Sequence, residues 1–138
     1  MYYDKFNELI TEMSQEDASD DFFYDVGVFE AINILNHFIE DDWEKLGKNI
    51  MTKDAEWKKK TIYCFEGEHK EELSILLSII DTDDFELFEM CVDSLRCMIN
   101  DDNKQRILCN NELLTKMKKE VDRGISGKVF LDCIAKLS

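Results

Sequence analysis

Between His69 and Asn100, two runs of apolar residues recur at helical spacing on either side of a short polar break. Leu73, Leu76, Leu77 and Ile80 stand at i, i+3, i+4 and i+7, and Phe85, Phe88, Val92, Leu95 and Ile99 continue the period over four turns. Each run therefore forms one side of an α-helix. Only Asp81, Thr82 and Asp83 lie between them, with Asp84 and Glu86 adding the negative charge that a helix N-terminus favours. A connection that short lays the two helices back to back. Ile75, Ile79, Leu87, Cys91 and Met98 fall off the main stripes, which predicts burial on two sides and a central hairpin at about 69–100.

The same periodicity predicts a helix over 2–15, with Tyr2 or Tyr3, Phe6, Leu9, Ile10 and Met13 on one side. From Ser14 to Asp25 the chain turns acidic and aperiodic, a loop or short helix anchored by Phe22, Phe23 and Tyr24. A helix over 26–39 follows, with Phe29, Ile32, Leu35 and Ile39 inward, and Trp43, Leu46, Ile50 and Met51 mark the inner side of the next. Residues 54–65 form a shorter helix on Trp57, Thr61, Cys64 and Phe65, with Lys58, Lys59 and Lys60 outside and Gly67 placed to end it in a left-handed cap. A helix from Asp101 to about Val121, which Asn110-Asn111 can divide, and a closing helix over Val129 to Leu137 complete an all-α pattern of seven or eight helices. Asp41-Asp42-Trp43-Glu44 stands 42 residues before Asp83-Asp84-Phe85-Glu86, an offset within the roughly 40–47 residues of HEAT and armadillo repeats. Stacked antiparallel hairpins or a compact bundle, in one domain over 1–138, are expected.

Composition narrows the picture. The chain has no proline, which agrees with nearly continuous helix, and 44% hydrophobic content suffices for a core. Five cysteines without a C-x-x-C pair point to free, mostly buried thiols and a reducing compartment. No basic and apolar leader opens the chain, and no apolar run reaches the ~18 residues of a membrane span, so a cytoplasmic protein without membrane contact is expected.

Chemistry is sparse. His37 and His69 stand in no metal-binding pattern, and the sequence lacks G-x-G-x-x-G, P-loop and G-x-S-x-G motifs. No catalytic residue, cofactor, metal or small-molecule substrate is assigned. The net charge of −14 excludes direct nucleic-acid binding, which needs clustered Lys and Arg. Residues 1–44 hold 13 acidic side chains and one lysine, a net of −12, whereas the remainder carries −2. One-signed charge beside aromatics suits a basic protein partner, with charge steering the encounter and rings anchoring it. The candidate partner-binding residues are Asp17, Asp20, Asp21 and Asp25 with Phe22, Phe23 and Tyr24, then Glu40, Asp41, Asp42 and Glu44, and finally Asp83 and Asp84. Trp43 is a further candidate anchor.

Over roughly residues 26–122, the Asp42-Trp43-Glu44-Lys45-Leu46 segment and the hairpin from Leu73-Ser74-Ile75-Leu76-Leu77 through Asp83-Asp84-Phe85 to Leu95 resemble a known family. These are the small, acidic, all-helical immunity proteins with HEAT-like hairpins that protect bacteria from toxins of contact-dependent inhibition and related polymorphic toxin systems. The resemblance implies a non-catalytic inhibitor of one cognate toxin domain, often a basic nuclease, whose active site or substrate groove it blocks. It carries over no binding residue. A helical-repeat adaptor that gathers proteins into an assembly is the alternative, since the same surfaces would serve it.

Overall fold

The computed structural model describes residues 1–15, 20–110 and 115, and among them every regular element is helical. In chain order these are α1 (Tyr2–Met13), α2 (Asp20–Phe22), a π-helical turn (Phe23–Gly27), α3 (Val28–Leu35), α4 (Glu40–Asn49), a 3₁₀ turn (Ile50–Thr52), α5 (Ala55–Tyr63), α6 (Glu71–Ile79), α7 (Phe85–Met98) and α8 (Lys104–Leu108). None of these helices is long and apolar enough to cross a membrane. The chain divides into two compact units between Phe65 and Glu66.

The first unit is built on α1, which packs against the π turn, α3, α4 and α5. Tyr3, Phe6 and Ile10 supply its buried stripe, and the hydroxyl of Ser14 closes its last turn by donating to the Ile10 carbonyl at 2.7 Å. Phe6 sits at the centre of a run of tilted and edge-on rings. Trp57 lies 6.1 Å from it on one side and Phe38 5.7 Å on the other, and Trp43 and Phe65 continue the run at 4.9 and 6.4 Å. Such geometry sets the positive edge of one ring against the negative face of another. The Trp57 indole N–H also donates to the Thr11 hydroxyl at 3.1 Å, fixing α5 to α1.

Three features depart from the periodic reading. Helix begins at Asp20 rather than Val26, because the π turn joins α2 to α3 and its extra residue rotates the helix phase. Phe23, Gly27, Val28, Ala31 and Leu35 consequently face inward, Phe29 turns to solvent, and Ile39 lies beyond the helix end. Gly27 allows this packing, since a Cβ there would stand 3.3 Å from the Phe23 ring and 3.6 Å from the Met13 sulfur. The second departure is α5, where Lys59 and Lys60 are buried. Trp57 and the run Lys59–Ile62 of that short helix are buried, so the two lysine stems pack inside while both ammonium groups reach the exposed Glu56 at 3.5 Å. Third, Met51 is exposed, because the last turn after α4 tightens to 3₁₀ and leaves it off the inner side.

In the second unit α6 and α7 pack together as the hairpin requires. Leu73, Ile75, Leu76, Ile79 and Ile80 are buried on the first helix and Leu87, Phe88, Cys91, Val92 and Leu95 on the second, which is the two-sided burial expected. Leu77, Phe85 and Ile99 are only half-buried. The N-cap of α7 is Asp84, whose carboxylate accepts the Leu87 N–H at 2.9 Å, while Thr82 accepts the N–H of Asp84 at 3.2 Å. Gly67 takes the left-handed conformation, φ +82°, where the chain leaves the first unit. Asn100 and Asn103 exchange backbone-to-side-chain bonds of 2.8 and 3.0 Å to start α8, which ends at Leu108. Of the continuation toward Val121 only Thr115, which is helical, is described beyond Asn110, and the closing helix lies outside the described residues. Cys64 and Cys91 are buried, whereas Cys97 and Cys109 are exposed, and no disulfide joins any of them among the described residues.

Burial sets the stability test. Leu76→Ala should destabilise the second unit by about 2–5 kcal/mol in chemical denaturation, as a fully buried truncation does. Leu77→Ala, at a half-buried position, should lose less than half as much. Equal losses would show that the inner face of α6 is wrongly assigned.

Candidate interaction surface

The candidate acidic and aromatic residues separate into three groups once placed. Asp21, Phe22, Tyr24 and Asp25 lie on the surface of the α2 and π-turn segment, and Glu40, Asp41 and Glu44 on the surface of α4. Phe23, Asp42 and Trp43 are withdrawn into the first unit. Asp83 and Asp84 belong to the second unit, where Asp84 is engaged as the α7 cap. Asp17 and the side chain of Asp20 lie outside the described residues.

The exposed group on α4 is partly neutralised. Lys45 pairs with Asp41 at 3.4 Å and Lys48 with Glu44 at 3.0 Å, each one turn along the same helix. The α2–α3 segment differs. Residues 20–37 hold four acidic side chains and no Lys or Arg. Through the π turn, Phe22, Val26 and Phe29 share one outward line, at 50%, 53% and 68% exposure, with Asp21, Asp25 and Glu30 interleaved. Tyr24 adds an edge-on contact to Tyr63 of α5, ring centres 4.6 Å apart, so a second aromatic pair stands beside the line. All the large exposed hydrophobic residues described are in the first unit. Patterning from Val26 onward does not single out Val26, Phe29 and Tyr63; a helix begun at Asp20 would place Phe22, Val26 and Phe29 at i, i+4 and i+7.

Asp42 has become part of the scaffold. Its carboxyl is 1% exposed and accepts the Tyr3 N–H at 3.0 Å, the Met1 amino group at 3.2 Å and the Ile39 N–H at 3.1 Å. The last of these is the backward half of a capping box, since Asp42 is the third residue of α4 and Ile39 its N-cap. Burial alone would push this carboxyl up, but the two backbone N–H donors and the ammonium together hold it below the ordinary carboxylate range. Glu72 plays the corresponding part in the second unit, accepting the His69 N–H at 2.8 Å from the loop that precedes α6. There burial prevails over the His69, Gly67 and Glu66 backbone, and the carboxyl is held above its ordinary range.

Among the described residues no group of three or more His, Cys, Asp or Glu could hold a metal ion. Comparisons with protein-family models, with curated proteins and with solved structures find no match. What the surface offers chemically is hydrophobic and aromatic contact area set among carboxylates.

The two buried carboxyls predict opposite acid responses. Because the folded Asp42 carboxyl titrates below its unfolded value, its contribution is complete above the ordinary carboxyl range and lost as pH falls through the lower folded value. Glu72 titrates above its unfolded value, so its burial as a carboxylate costs stability that is recovered as pH falls toward the ordinary range. Asp42→Asn should lower stability at pH 7 by about 1–3 kcal/mol, since donors are left facing an amide. Urea unfolding across pH 3–7 should show the acid-side loss flattened in Asp42→Asn, whereas Glu72→Gln should abolish the gain on mild acidification.

Proposed function

We propose that this protein is a non-catalytic, cytoplasmic inhibitor of a basic protein toxin, an immunity protein that sets an acidic surface over the toxin's active site or nucleic-acid groove. The observation that carries this reading is the outward line of Phe22, Val26 and Phe29 among Asp21, Asp25 and Glu30, in a stretch with no compensating Lys or Arg. Charge of one sign raises the encounter rate with an oppositely charged partner and excludes like-charged ones, while exposed rings supply the contact energy. A nuclease domain suits such a surface because its own groove is basic in order to hold phosphates, and carboxylates can take the positions that phosphates would occupy. The resemblance to immunity proteins of contact-dependent inhibition supports the same reading.

The test is positional. With the toxin recovered by copurification from the native cell, Asp21→Asn, Asp25→Asn and Glu30→Gln together should slow association and steepen little with salt, because the steering charge is gone. Phe22→Ser, Val26→Ser and Phe29→Ser together should instead speed dissociation, weakening affinity by about tenfold or more if the line contains a hot spot. Neither set should lower the melting temperature, since all six side chains are exposed. A control set in the second unit, Glu66→Gln, Glu68→Gln and Asp102→Asn, should leave neutralisation intact. Equal weakening by control and acidic sets would reduce the negative surface to a solubility device.

A further inference from the structure

Beside the exposed line, α1, α3 and the turn after α3 border an open groove of about 550 Å³, lined by charged, apolar and aromatic side chains. Glu8 and Glu12 stand one turn apart on α1, and Glu30 faces them from α3. Among the described residues none of the three has an ion-pair partner, unlike Asp41 and Glu44 on α4. The far end of the groove is aromatic. Tyr2 and His37 lie 5.2 Å apart with their rings tilted by 30°, and the His37 ring is held by Nδ1 donating to the Asn33 carbonyl at 2.8 Å. Lys5, the one Lys or Arg among the described lining residues, sits over the Tyr2 ring at 5.3 Å, so this end already holds a positive charge.

We infer that this groove receives arginine side chains of a basic protein partner. The inference deepens the inhibitor reading and rests on it for the partner's basic character. Three carboxylates with no ion-pair partner among the described residues, on two walls, match a planar fork of donors, and the Tyr2 and His37 rings match the flat face of a guanidinium, which an ammonium lacks. From Tyr2 to Glu12 the α1 wall runs about 15 Å at 1.5 Å per residue, long enough for several residues of a partner segment. Asn33 lines the groove one turn after Phe29, so groove and apolar line are contiguous on α3 and a single partner can occupy both.

The full chain is titrated with a short soluble peptide in which arginine alternates with serine, and with its lysine and glutamate counterparts, while backbone amide and His37 ring resonances are recorded. Saturable shifts at Tyr2, Leu9, Ile34 and His37 with the arginine peptide, weaker ones with lysine and none with glutamate, are the expected result. Glu8→Gln, Glu12→Gln and Glu30→Gln together should weaken the arginine peptide by about five- to tenfold, and Lys5→Gln should tighten it. Unchanged amide dispersion and melting temperature in these variants show that the fold persists. Shifts spread over the acidic surface without a groove maximum, lysine binding as tightly as arginine, or equal weakening by Glu66→Gln, Glu68→Gln and Asp102→Asn would each overturn the inference. The peptide needs no toxin, so the two readings fail separately. If the groove takes arginine but no toxin is neutralised, only the inhibitor reading falls; if neutralisation is intact in the triple glutamine variant, only the groove falls.

Discussion

One buried carboxylate ties the first unit together. Asp42 takes the N–H of Tyr3 at the start of α1 and of Ile39 at the start of α4, so two helix beginnings share one acceptor. A carboxylate enclosed without partners would be strongly disfavoured, and each donor is a backbone group that would otherwise be an orphan of its helix terminus. The contact therefore satisfies both sides and admits one arrangement. With α1 fixed in this way, Phe6 meets Trp57 and Phe38, and the ring contacts that fill the core follow. Glu72 repeats the device locally, binding the His69 N–H where the chain turns into α6.

Helix positions and most inner faces were legible from spacing, because a 3.6-residue period survives wherever a helix is regular. Tyr3, Phe6 and Ile10 on α1 and the two-sided burial of α6 and α7 follow from it; Gly67 is left-handed as expected of a glycine at a turn, but α5 already ends at Tyr63 on a right-handed Cys64 cap, so Gly67 does not cap that helix. Failures occur where period ceases to determine facing. The π turn adds a residue and carries Phe29 outward, an event that no run of apolar letters announces. Lys59 and Lys60 are buried because neighbours surround α5, and charge alone cannot reveal an enclosed stem.

The candidate surface was legible in composition and not in detail. Asp41 and Asp42 are adjacent and chemically identical, yet one faces Lys45 in solvent and the other holds the interior. Their separation depends on helix phase at the α4 start, where Ile39 and not an acid is the N-cap. In the matching segment 42 residues on, Asp84 is itself the N-cap, so similar letters sit differently on their helices. Phe22, Phe23 and Tyr24 divide by the same logic, the middle ring inward and its neighbours outward.

The acidic surface also bears on why the scaffold needs such a tie. Asp4, Glu8 and Glu12 recur every fourth residue along α1, and like charges at that spacing each oppose the helix by about 0.2–0.5 kcal/mol. Glu12 further sits in the last turn, where the helix dipole favours a cation and none is present. Twelve residues are marginal for an isolated helix even in a favourable sequence. Tertiary contact must therefore hold α1 in place: Phe6 and Ile10 in the core, the Trp57 bond to Thr11, and the Asp42 bond to Tyr3. Two of the three carboxylates that weaken α1 by itself, Glu8 and Glu12, are those it presents to the groove, and the buried carboxylate near its other end is part of what holds the helix in place against them.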